Sequence, residues 1–92
     1  MSITQNLRQA RNDTMRYMAV IYDRMGNPLF IGGKDYLDLA IMATDNEMSK
    51  NPHADHAVVY WHDWQWMPGM GLVHTYNPSV KRTASSSEWE AA

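Results

Sequence analysis

Residues Ala57 to Trp66, Ala-Val-Val-Tyr-Trp-His-Asp-Trp-Gln-Trp, constrain the fold more than any other stretch of this chain. β-Branched and aromatic side chains dominate it, and these fit a pleated, half-buried surface better than a helix. Three tryptophans and a tyrosine fall within seven residues, and Met67-Pro68-Gly69-Met70-Gly71 follows at once. Pro and Gly at that point call for a chain reversal. His56 to Trp61 therefore reads as a buried strand. Its continuation to Trp66 is either the same strand, bent, or a turn at His62-Asp63. Leu72 to Tyr76 is the returning strand.

The rest of the chain supplies partners for this hairpin. Arg16 to Asp23 reads as a strand in which Tyr17, Ala19 and Ile21 alternate with Met18, Val20 and Tyr22. Both faces are apolar, as in a central strand covered on both sides. Arg24-Met25-Gly26-Asn27-Pro28 is a turn, Leu29-Phe30-Ile31 its partner strand, and Gly32-Gly33 the end of that strand. Asp35 to Ser49 is the main helix. Leu37, Ala40, Ile41, Thr44 and Met48 recur at helical spacing on one side, and Asp35, Asp38, Met42, Asp45 and Ser49 on the other. Asp35 and Lys50 suit the two ends of the helix dipole, and Asn51-Pro52 stops it. Ser2 to Asn12 reads as a short, weaker helix, with Ser2 as cap and Gln5 three residues on. From Asn77 the composition turns to Ser, Thr, Lys and Glu.

The expected fold is α+β: a small antiparallel sheet of about four strands with one main helix, in the order β-β-α-β-β, preceded by the short N-terminal helix. Residues 1–76 form one domain and residues 77–92 a polar, flexible C-terminal tail. With 92 residues the chain has room for one modest core and little for a deep internal site.

Composition excludes several functions. Cysteine is absent, so neither a disulfide framework nor a zinc–thiolate site is available. The apolar run Tyr17–Tyr22 is far too short to span a membrane, and the N-terminus lacks the apolar centre of a signal peptide. A cytoplasmic protein is expected. The net charge of −2 opposes nucleic-acid binding by bulk charge alone. The charge is unevenly spread. Arg8, Arg11 and Arg16 against Asp13 give residues 1–16 a net +2, whereas six carboxylates against Lys50 give residues 35–63 a net −5.

No catalytic, metal or cofactor signature stands out. His53, His56, His62 and His74 lack the spacing of a zinc motif. His62 and Asp63 are neighbours on a strand and point to opposite faces, so they do not orient each other. Gly32-Gly33-Lys34 before a helix could hold an anion, but Asp35 at the same end opposes it, and a tight β-to-α connection explains the glycines. Two features point to a partner. Asp35, Asp38 and Asp45 form an acidic stripe with Met42 among them, an adaptable apolar residue among acids. The second is the indole excess. On an ideal strand Val58, Tyr60, His62, Trp64 and Trp66 share one face, and Ala57, Val59, Trp61, Asp63 and Gln65 the other. Taking the first set as core-facing up to Tyr60 turns Trp61 away from the helix. The three indoles then either close the open end of a small core or supply binding anchors. A base-stacking platform wants cations among its rings, and Tyr60 to Trp66 holds neither lysine nor arginine.

With its acidic Asp35-Asp38-Asp45 helix and its Ala57–Trp66 strand, the chain looks like a bacteriophage-type accessory protein. Within that class it resembles the small anti-CRISPR proteins that inhibit a type I surveillance complex. The resemblance is one of general character over the whole chain. It implies a non-catalytic inhibitor in the cytoplasm of the host bacterial cell, without cofactor or metal. Its partner would be a large protein or ribonucleoprotein complex of Cas subunits, whose basic nucleic-acid-binding surface it occludes. The residues expected to meet that partner are Asp38, Met42 and Asp45 on the helix, Trp61 and Trp64 on the strand, and Arg16 as a contact to phosphate or acid. The alternative is a small nucleic-acid-binding module that uses the sheet aromatics and Arg8, Arg11 and Arg16.

Overall fold

The computed structural model describes residues 16–92, so the expected helix at Ser2–Asn12 lies outside the described residues, as do Arg8 and Arg11. The chain runs β1 (Tyr17–Tyr22), β2 (Pro28–Lys34), α1 (Leu37–Lys50), β3 (His56–Met67), β4 (Gly71–Thr83) and β5 (Glu90–Ala91). The strands form one antiparallel sheet in the order β2-β1-β3-β4-β5. The mixed α+β class and the β-β-α-β-β core agree with expectation, and β5 is an addition to it.

The first hairpin is closed by Asp23. Its carboxylate accepts the backbone N–H groups of Met25 (2.9 Å) and Asn27 (2.8 Å), and Gly26 takes a φ of +85° that a glycine adopts without strain. The Asn27 amide, followed by those of Met25 and Gly26, favours the ionised form and lowers the Asp23 pKa.

Helix α1 begins at Leu37, two residues later than the charge pattern predicts. Tyr36 occupies the N-cap without a side-chain cap, and Asp38 instead accepts the Leu39 N–H at 3.0 Å. At the other end the Asn51 side chain accepts the His53 N–H at 3.0 Å, and Asn51 N–H bonds Met48 O at 3.3 Å. The predicted inner face is right. Ala40, Thr44 and Met48 are buried, and the Thr44 hydroxyl donates to Ala40 O at 2.6 Å, which leaves no unsatisfied hydroxyl in the core.

The sheet presents the opposite parity from the one expected. Ala19 and Val59 pack with Ala40, and Ile21 and Ala57 with Met48. Ala19 pairs with Val59 and Ile21 with Ala57 across β1 and β3. The helix therefore covers the face of Ala57 and Val59, not that of Val58 and Tyr60, and Trp61 shares the helix-side face. The alanines let α1 approach the sheet closely, so they, and not the larger alternating residues, mark the buried face.

The C-terminal segment also departs from the tail expected at 77–92. β4 continues to Thr83, and β5 pairs with Val80 and Lys81. Trp89 packs against both parts of the core. Its indole N–H donates to Asp45 Oδ1 at 3.0 Å, and the Arg82 guanidinium donates to the same oxygen. A tryptophan 44 residues distant in sequence from its acceptor thus closes one side of the core.

One irregularity positions the candidate site. Val59 pairs with Val80 but Tyr60 pairs with Pro78, so Ser79 is an extra residue in β4. Such a bulge shifts side-chain parity. Val80 packs on the helix side, whereas Pro78, Tyr76, His74 and Leu72 pair with Tyr60, His62, Trp64 and Trp66 on the opposite face.

Candidate functional site

The β3–β4 hairpin outruns the rest of the sheet. β1 reaches only as far as Arg16, whose carbonyl accepts the His62 N–H at 2.9 Å. Beyond that level β3 and β4 pair only with each other among the described strands, a two-stranded ribbon that ends in a tight reversal. Met70 N–H bonds Met67 O at 3.0 Å. Pro68 and Gly69, with Gly69 at φ +81°, occupy the two central positions, the pattern of a type II turn.

The ribbon carries much exposed apolar surface. Trp66 is 72% exposed, Met70 71% and Leu72 63%. Among the described residues the core holds seven buried hydrophobic side chains, three of them alanine, and has no room for these. The indoles therefore do not close the core. Trp61, Trp64 and Trp66 are all exposed, and the one indole packed on the core is Trp89.

On the face away from α1 the ribbon gathers rings. Trp64 and His74 lie 3.7 Å apart between centroids, His62 and His74 5.4 Å, His62 and Tyr76 5.8 Å, and His74 and Tyr76 6.0 Å. His62 Nδ1 is buried there without a hydrogen-bond partner among the described residues. Burial lowers the His62 pKa, and His74 beside it adds to the lowering against the opposing pull of Asp63. Asp63 turns to the other face and accepts the Trp64 N–H at 2.8 Å. Further along the same open face, Tyr22 and Tyr60 share a 2.8 Å bond between hydroxyls and Tyr22 stacks on His56 at 5.0 Å. Burial and the Tyr60 hydroxyl push the Tyr22 pKa up to about 12.

The six residues expected to bind a partner divide four ways. Arg16 and Asp38 line one shallow cleft with Tyr17, Asp35, Tyr36 and Leu37, and Trp61 pairs with Tyr17 at the same end. Met42 is 65% exposed on the outer side of α1. Trp64 lies across the sheet from all of these, on the ring-bearing face. Asp45 is engaged within the molecule by Arg82 and Trp89, so it does not belong to an open acidic stripe. Sequence reasoning missed the ring cluster of His62, His74 and Tyr76. Counting outward from the Pro68-Gly69 turn could have paired His62 with Tyr76 and Trp64 with His74.

Among the described residues no group of three His, Cys, Asp or Glu side chains could hold a metal ion. No described helix is long and apolar enough to cross a membrane. Comparison with protein families, curated proteins and solved structures yields no match to this chain.

Proposed function

We propose that the chain is a non-catalytic binding protein, an anti-CRISPR-type inhibitor that docks on a basic nucleic-acid-binding surface of a type I CRISPR–Cas complex. The outer side of α1 makes the docking surface. The observation that carries this reading is the company of Asp38. Tyr36 at 66%, Leu39 at 44% and Met42 at 65% stand exposed around it. Among the described residues neither Asp35 nor Asp38 has an ion-pair partner. Apolar side chains that the core does not use, beside carboxylates that no cation of the described residues neutralises, fit a basic partner surface with an apolar floor. Arg16 and Trp61 border the same end of the helix and extend the surface. Asp45 stabilises the fold in this reading.

Inhibition follows from occlusion. A stable interface buries about 1,200–2,000 Å² in total, enough for the helix and its flank to cover a groove that target DNA needs. The test is a gel shift with purified surveillance complex and its target duplex. Wild-type chain is expected to block loading of the duplex, and Asp38→Lys/Met42→Glu to block at least about tenfold less well, since a reversed charge and a buried new carboxylate each cost more than about 1 kcal/mol. Unimpeded loading at saturating wild-type chain would defeat the proposal.

A further inference from the structure

We propose that the ring-bearing face of the β3–β4 ribbon is a platform for single-stranded nucleic acid, on which bases stack against Trp64, His74 and Tyr76. This surface lies across the sheet from the α1 surface above and does not depend on it.

Three observations carry the inference. The first is exposure. Trp64 at 43%, Tyr76 at 48% and Trp66 at 72% offer ring surface to solvent from one face. Each is set by register and not by a flexible loop. Flat rings at fixed positions are what base stacking uses, and every base has a π-face to offer.

The second is charge. From His62 to Tyr76 the only carboxylate is Asp63, which the strand alternation sends to the other face and which bonds the Trp64 N–H. The ring face thus carries histidines and no acid along the ribbon. The acids Asp35 and Asp38 lie on the far side, with α1. A polyanion approaching the molecule meets repulsion on the helix side and none along the ribbon's ring face. Histidines are interleaved with the rings where lysine and arginine are absent, and their N–H groups can donate to phosphate or base edges.

The third is the bulge at Ser79. If Ser79 were paired in a regular ladder instead, the even spacing from Val80 would put Tyr76 and His74 on the helix side with it, and Trp64 and Trp66 would face no rings in β4. The irregularity brings the aromatic side chains of both strands to one surface. From Tyr60 to Trp66 that surface spans about 20 Å at about 3.4 Å per residue, the length of a few stacked nucleotides.

The test is fluorescence anisotropy with labelled oligothymidylate and oligouridylate of roughly ten nucleotides, in about 20 mM and about 200 mM salt. Wild-type chain should bind at least one of them saturably, more weakly at the higher salt, with quenching of tryptophan emission. Trp64→Ala and Tyr76→Ala should each lose about fivefold or more in affinity, with circular dichroism showing that both remain folded. Asp38→Lys/Met42→Glu should keep wild-type affinity or gain some, which separates this surface from the α1 surface. No saturable binding in low salt would overturn the proposal. So would wild-type affinity in both ring variants. Failure to bind oligonucleotide, with the ribbon rings buried against a protein partner instead, would assign the face to protein recognition and also overturn it.

Discussion

Asp45 shows how one residue's role depends on distant parts of the chain. In the sequence it is one acid of an exposed stripe. In the structure it accepts from Arg82 and from the Trp89 indole and so fastens the C-terminal segment to α1. Trp89→Phe keeps most of the packing and loses the N–H bond, so it should cost about 1 kcal/mol. Trp89→Ala loses both and should cost about 2–3 kcal/mol, less than full burial implies because the ring is only half-buried. Equal urea midpoints for the two variants would show that the Asp45 bond and the ring do not contribute separately. His62 gives a pH dependence. Its folded pKa is lowered, so the folded state binds fewer protons than the unfolded chain as pH falls below about 6.5. Stability from this group is complete above that pH and declines as pH drops through the lowered value. His62→Gln should flatten the fall in urea midpoint between about pH 7.5 and pH 5; a slope unchanged from wild type would contradict the assignment.

The elements were legible where a period is strong. Tyr17–Tyr22 and the helix that begins beside Asp35 follow from alternation and from the 3.6-residue spacing of Ala40, Thr44 and Met48. Facing was not legible in Ala57-Val58-Val59, because three consecutive apolar residues carry no alternation, and Ala57 and Val59, not Val58, proved to be the buried ones. Nor was the reach of β4, since Asn77-Pro78-Ser79 reads as a breaker but is the site of a bulge. The candidate surfaces share this limit. The exposed Asp38 and Met42 follow from the helix pattern, whereas the ring cluster needs the register of two strands and an insertion within one. Deleting Ser79 should therefore straighten β4 without turning it over. It leaves the pairs on either side of the bulge in register, so β4 should keep its facing and Trp64 its ring contact with His74; loss of the wild-type aromatic bands in the near-ultraviolet circular dichroism spectrum would contradict this. At β2, a methyl added to Gly32 would lie 2.8 Å from the Phe30 ring. Gly32→Ala should cost about 1–3 kcal/mol, and a neutral effect on the thermal midpoint would show that Phe30 moves aside freely.

The molecule as a whole is two-sided. Among the described residues one helix covers one face of a sheet whose core is small, and the acids of α1 lie on that side. The opposite face carries rings and histidines and extends into a ribbon beyond the helix. The described residues reach 42 Å along the longest axis and about 23–24 Å along the others, so the ribbon surface and the α1 surface are separate. The two surfaces differ in chemistry, acidic and apolar on α1, aromatic and histidine-bearing on the ribbon. Methionine oxidation footprinting reads the α1 surface directly, because Met42 at 65%, Met70 at 71% and Met25 at 83% exposure report on α1, the ribbon tip and the first turn in one experiment. With purified type I surveillance complex added, Met42 oxidation is expected to slow at least about fivefold, the protection that burial in an interface gives, while Met25 keeps its rate. Oxidation of Met42 at the same rate with and without the complex would contradict the account.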